Sequence, residues 1–169
     1  MYIERALEPL VRRYSENFKI VAVTGPRQVG KTTMLKHLME EEAESGVDRV
    51  YVTLDNTAIL QTAKEDPALF LQRYRPPVLI DEIQKAPELL PYIKMIVDER
   101  DDCGSVWITG SQPLHLMKAV SESLAGRVGI VEMLGLSHSE VAGTPSEPYL
   151  PSADYFMRRV DMAKPFGVS

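Results

Sequence analysis

Apolar side chains arrive along this chain in short continuous runs separated by stretches of helical periodicity, an alternation that predicts an α/β fold. The runs cover 19–24 (KIVAVT, ending at Gly25), 49–55 (RVYVTLD), 78–82 (VLIDE), 105–111 (SVWITGS) and 128–133 (VGIVEM). In VLIDE the apolar residues are consecutive, as in a parallel sheet covered on both faces. Between the runs, Met34, Leu35, Leu38 and Met39 form one stripe of a helix reaching about Ser45, with Lys36, Glu40 and Glu41 turned to water. Short helical pieces flank Asp66-Pro67, and Pro87 opens a helix with Leu89, Leu90, Ile93, Ile96 and Val97 inward, fading over 98–102. A further helix is expected over 113–124. Strands separated by helices of this length make a parallel sheet with right-handed crossovers.

The ends are less regular. Residues 3–14 set Ile3, Ala6, Leu7, Leu10 and Val11 against Glu4, Arg5, Glu8, Arg12 and Arg13, a helical pattern that Pro9 is expected to kink or break. Beyond Leu134, short helices are expected over 136–142 and 153–160, on either side of the proline-rich GTPSEPYLPS. Residues 1–145 therefore read as one domain, and 146–169 as a tail or the start of a truncated C-terminal region.

A chain of 169 residues, 44% of them hydrophobic, can bury one ordinary core. Its 19 basic and 24 acidic side chains leave a charge of -5, which provides no general attraction for nucleic acid but leaves a local basic patch open. With Cys103 as the single cysteine, an intrachain disulfide is excluded, and His37, His115 and His138 have no ligand spacing. No apolar run approaches the roughly 20 residues that span a bilayer, and the charged N-terminus is unlike a signal peptide. A soluble cytoplasmic protein without membrane association is the expectation.

Residues 25–32 read GPRQVGKT, the G-x-x-x-x-G-K-[ST] pattern of a phosphate-binding loop, set between an apolar strand and an amphipathic helix as that loop requires. Gly25 and Gly30 allow the backbone of Pro26, Arg27, Gln28 and Val29 to wrap an anion. The helix that starts near Lys31 and continues through Thr33 adds free N–H groups. Lys31 is placed to reach the β- and γ-phosphates of a nucleotide and the Thr32 hydroxyl to ligate Mg²⁺. For Arg27, a solvent-facing side chain is favoured over a phosphate contact.

Fifty residues beyond Lys31, the strand VLIDE ends in Asp81-Glu82. Behind such a loop, an aspartate at a strand end holds Mg²⁺, and the adjoining carboxylate can orient or deprotonate a water. Those roles fall to Asp81 and Glu82 respectively. At the end of the next strand, Thr109, Ser111 and Gln112 all qualify to sense the γ-phosphate, with Ser111 and Gln112 ahead; an ordinary helix cap is the competing explanation for Ser111. Arg127 is a candidate arginine finger for a neighbouring subunit, a phosphate contact in its own, or a structural ion pair. Asp55 suits either support of Mg²⁺ through an intermediary or a helix cap.

These residues resemble the AAA-type ATPases of the AAA_14 group, which are usually followed by a DUF4143 domain. The resemblance rests on TGPRQVGKTT at 24–33, LD at 54–55, DPALFL at 66–71, PPVLIDEIQKAPELLPYIKMIVD at 76–98, TGSQ at 109–112 and SLAGRV at 123–128. It implies a three-layer P-loop NTPase fold with a parallel five-stranded sheet of order 5-1-4-3-2 and helices on both faces. It also implies ATP at Gly25–Thr33, Mg²⁺ and water roles for Asp81 and Glu82, a sensor-like place for Ser111–Gln112, and an effector half that is absent from this chain. The leading function is Mg²⁺-dependent ATP hydrolysis that drives or switches that half, in a homo-oligomer or with a partner subunit. A nucleotide or small-molecule kinase and a non-hydrolysing, ATP-gated interaction module, with action near nucleic acid left open, are the alternatives.

Overall fold

A computed structural model describes residues 2–111, 120 and 123–144. The strands are β1 (Ile20–Thr24), β2 (Val50–Thr53), β3 (Val78–Asp81), β4 (Val106–Gly110) and β5 (Val128–Glu132), joined in one sheet of order β2-β3-β4-β1-β5. Read from the other edge, this is the expected 5-1-4-3-2, and every neighbouring pair is parallel.

Alternation along the strands divides two cores. Ile20, Ala22, Val52, Val78, Ile80, Val106 and Ile108 face one side, where they meet Ala63, Phe70, Leu71, Leu89, Leu90, Ile93 and Val97. These come from α3 (Thr57–Glu65), α4 (Pro67–Arg73) and α5 (Leu89–Asp98). Val21, Val23, Leu79, Trp107 and Val131 face the other side, against Val11 of α1 (Glu8–Asn17) and Met34, Leu35 and Leu38 of α2 (Lys31–Glu44). The result is a three-layer α/β sandwich of the P-loop NTPase type.

Sequence punctuation accounts for several boundaries. Asn56 caps α3 by accepting from the N–H groups of Ala58 and Ile59, and Asp66 caps α4 through Leu69 N–H with Pro67 in its first turn. Pro9 neither kinks nor breaks a helix, contrary to expectation. Helix α1 starts only at Glu8, so Pro9 occupies its first turn, where a backbone N–H has no intrahelical partner to lose. Residues 2–5 carry no helical assignment and, with the turn at 6–7, lead into α1. A short α6 (His138–Val141) begins at a capping box formed by Ser137 and Glu140. The helix expected over 113–124 falls largely outside the described residues, as do the 153–160 helix and the 146–169 segment.

All five strands run in one direction, so their C-terminal ends share one edge of the sheet. Thr24 lies beside Gly110 and Thr53 beside Asp81 in the strand register. That edge is where an open α/β sheet leaves a crevice between diverging loops.

Candidate functional site

At this edge a cleft of about 540 Å³ is lined by Arg27, Gln28, Gly30, Lys31, Thr32, Thr33, Asp55, Glu82, Lys85 and Ser111. The loop from β1 to α2 forms one wall. Its backbone takes positive φ at Gly25 (142°), Gln28 (63°) and Gly30 (94°), which bends it into a concave turn. Gly25 is demanded by packing as much as by curvature, since a Cβ there would lie 2.0 Å from the Met133 carbonyl oxygen. Helix α2 begins at Lys31, directly after Gly30, so its first N–H groups open towards the cleft.

Lys31 is buried, and its Nζ donates to the carbonyls of Gly25 (3.0 Å) and Pro26 (2.6 Å). Burial lowers its pKa below the ordinary lysine value, while the nearby Glu82 and Asp81 carboxylates act in the opposite direction. The cation thus spans the mouth of its own loop. Arg27 is exposed at the cleft wall.

Opposite the loop, Asp81 is held by hydroxyls. Its Oδ1 accepts from Thr32 (2.7 Å) and from the buried Thr109 (2.5 Å), and its Oδ2 accepts from Tyr51 (3.2 Å). Burial and the Asp81 charge push the Tyr51 phenol up to about 12, so it remains a donor at neutral pH. Tyr51 reaches Asp81 from the α2 side of β2, and the Lys36 ammonium lies 3.8 Å from its ring centroid.

Glu82 leaves the strand in a left-handed conformation (φ 60°), anchored by its N–H to Thr109 Oγ1 at 3.1 Å. A 3₁₀ turn over Ile83–Lys85 follows. The Glu82 carboxylate accepts from the Ser111 hydroxyl at 2.5 Å and from the Gln84 amide. Asp55 pairs with Lys85 at 2.5 Å across the cleft mouth; the α3 cap belongs to Asn56 instead.

Lys31, Thr32, Asp81, Glu82 and Ser111 are therefore gathered at one place, together with Thr109. Arg127 is not among them. It stands before β5 at the opposite edge, where its carbonyl accepts from Ile20 N–H and its guanidinium pairs with Asp98 at 2.5 and 2.8 Å. A contact with phosphate in its own subunit is ruled out by that position. Gln112 lies outside the described residues. Tyr51, Lys85 and Gln84 were not anticipated: a tyrosine within a strand and a lysine in a turn carry no spacing signal, although Tyr51 stands only four residues before Asp55.

The donors around Asp81 are oxygens from a carboxylate and hydroxyls, which suit a hard cation such as Mg²⁺. Another cluster, Glu8, His37 and Glu41, has ligand atoms within 4.8 Å of one another. Its carboxylates are already bridged by Arg12, at 3.3 Å from Glu8 and 2.6 Å from Glu41, so it is an ion-pair network on α1 and α2.

Sheet order, loop and acidic strand end together define an AAA-type P-loop NTPase domain that binds ATP. The chain belongs to the AAA_14 family, an AAA domain whose model matches residues 17–142. Two uncharacterized mycobacterial proteins, Rv2008c of Mycobacterium tuberculosis and Mb2031c of Mycobacterium bovis, are each 33% identical over 137 residues, 81% of this chain. The chain matches only 30% of the length of either relative. Among solved structures, the AMPPCP-bound DnaA of Aquifex aeolicus superposes with a TM-score of 0.56 at 17% identity, covering 79% of this chain and 48% of DnaA. The P-loop NTPase domain of an E. coli sigma-54 activator gives 0.51 at 13% identity, with 76% and 92% covered. These likenesses establish the fold alone. Among the described residues no helix is long and apolar enough to cross a membrane.

Proposed function

We propose that this domain hydrolyses ATP with Mg²⁺ and that turnover drives or switches an adjoining effector domain. The observation that carries this reading is the convergence of Lys31, Thr32, Asp81 and Glu82 in one cleft from loops 50 residues apart in sequence. Backbone N–H groups of Gly25–Thr33, Pro26 excepted, cradle the phosphates, and Lys31 leaves the Gly25 and Pro26 carbonyls for the β- and γ-phosphates. Thr32 and Asp81 would hold Mg²⁺, which would supply positive charge against the phosphates. Glu82 orients the attacking water and accepts its proton, with Ser111 fixing the carboxylate. Gln112, next to Ser111 in sequence, retains the sensor role that the resemblance implies, and Arg127 that of a finger for a neighbouring subunit.

A second hollow of about 440 Å³ shares Gln28, Gly30 and Thr33 with the cleft but is otherwise lined by Tyr2, Ile3, Arg5, Val29 and Leu136. A polar chamber joined to a more apolar one at the phosphate loop matches a triphosphate attached to a flat base.

The test is purified protein with ATP and Mg²⁺, assayed for free phosphate. Wild type releases phosphate, and Glu82→Gln retains ATP but loses turnover. Equal turnover in Glu82→Gln refutes the role of Glu82. Phosphate transferred to an added acceptor supports a kinase instead, and tight binding without release supports an ATP-gated interaction module.

A further inference from the structure

Arg5 is nearly fully buried, and its guanidinium serves three segments distant in sequence. Its Nη1 donates to the Val29 carbonyl of the phosphate loop (2.8 Å), Nη2 to the Leu134 carbonyl beyond β5 (2.8 Å), and Nε to Glu140 of α6 (3.0 Å). Glu140 is itself held in place, accepting also from the N–H groups of Ala6 (2.9 Å) and Ser137 (2.6 Å). A buried cation so constrained has little freedom to change partners, and each carbonyl that it grips is fixed in direction.

The consequence lies in the Val29–Gly30 peptide. In a trans peptide plane the C=O and the following N–H point in opposite directions. With the Val29 carbonyl turned to Arg5, the Gly30 N–H is directed away from Arg5. Gly30 borders both hollows, and the Arg5 Nη1 atom lies 3.6 Å from where its Cβ would be. Glycine tolerates either sign of φ, so without an anchor this peptide is free to flip and to swing a carbonyl dipole towards the anion.

We propose that Arg5 is a positioning residue for the phosphate cradle, aiming the Gly30 N–H at the nucleotide by holding the Val29 carbonyl outward. The proposal rests on the nucleotide reading of the cleft. It adds a determinant outside the loop motif and ties loop geometry to Leu134 and Glu140, on the segment leading out of the described domain.

The test combines Mg–ADP titration of the 169-residue chain with the ¹⁵N–¹H signal of Gly30. In wild type saturated with Mg–ADP, the Gly30 amide is expected to shift downfield and to show coupling through the hydrogen bond to phosphorus. Arg5→Met, made with Glu140→Gln so that no lone charge is left buried, is expected to weaken Mg–ADP at least about tenfold, the effect of losing one hydrogen bond to a charged group. It should also abolish the Gly30 coupling while the amides of β1 and β4 keep their positions. Should that variant not fold, Arg5→Lys serves: one ammonium cannot hold all three partners in the same geometry, and a smaller loss of affinity with a weakened Gly30 coupling is expected. Wild-type coupling at Lys31 and Thr32 but not at Gly30, or a folded Arg5 variant with unchanged affinity and coupling, overturns the proposal and leaves the nucleotide reading standing. No response from any loop amide overturns both.

Discussion

Replacing Thr109 by valine separates the hydroxyl's two bonds from its shape. Thr109 is fully buried on β4 beside Val23; its hydroxyl donates to Asp81 at 2.5 Å and accepts from the Glu82 N–H at 3.1 Å. Valine keeps the volume, removes a charge-assisted bond of about 1.5–3 kcal/mol and leaves an amide donor whose unpaired burial costs about 1–3 kcal/mol. The two effects share one atom and do not add fully, so a stability loss of about 3 kcal/mol is expected in urea unfolding. Turnover should suffer beyond stability. A left-handed φ at a non-glycine residue such as Glu82 costs of order 1–3 kcal/mol and persists only where neighbours enforce it. Freed of its anchor, Glu82 is expected to lose alignment with the attacking water, so phosphate release should fall about tenfold or more while ATP affinity changes little. Thr109→Ser restores both bonds at the cost of one buried methyl, about 1 kcal/mol, and should recover turnover. A Thr109→Val protein within about 0.5 kcal/mol of wild type with undiminished turnover would refute this reasoning.

Three further outcomes are expected. Gly25→Ala places a Cβ 2.0 Å from a backbone carbonyl, at a φ of 142° that alanine resists, so a stability loss above about 3 kcal/mol should appear in thermal melts. Burial pushes the Glu140 carboxyl up, but N–H donors from Ser137 and Ala6 and the Arg5 side chain outweigh it and hold the pKa at about 2. Stability from this group is therefore fully present above the ordinary value of 4.5 and is lost as pH falls from there towards about 2. The span corresponds to about 3 kcal/mol, and Glu140→Gln should flatten that limb of an acid-unfolding series. Arg127→Ala breaks the pair with Asp98 far from the cleft, so the Mg–ATP affinity of the chain alone should match wild type in a fluorescent-nucleotide titration.

Much of the site was legible because the chemistry sits in contiguous residues. Gly25–Thr32 must follow a strand and open a helix, and both neighbours announce themselves by periodicity. Asp81 was legible for the same reason: continuous apolar residues mark a central parallel strand, and an acid at its end faces the crevice. Residues supplied by folding rather than by motif were hidden. Tyr51 reaches Asp81 only because β2 pairs with β3. Arg5 falls among the polar positions of a helical pattern, whereas helix α1 starts at Glu8 and Arg5 turns inward to carbonyls 24 and 129 residues away. Periodicity cannot separate a helix from the irregular segment before it when both carry alternating apolar residues. Proline position was the available signal, because Pro9 suits a helix's first turn better than its middle. Arg127 shows what position in the sequence leaves open: of a finger for a neighbouring subunit, a phosphate contact in its own and a structural ion pair, the structure shows the ion pair, with Asp98.

The central claim, that this cleft hydrolyses ATP with Mg²⁺, is tested most directly by single-turnover assay of the wild-type chain with γ-labelled ATP, in Mg²⁺ and in EDTA. The account predicts label appearing in free phosphate with Mg²⁺ and none in EDTA, and its loss in Asp81→Asn. Release that is indifferent to EDTA and to Asp81→Asn, or bound ATP that is never cleaved, would contradict it.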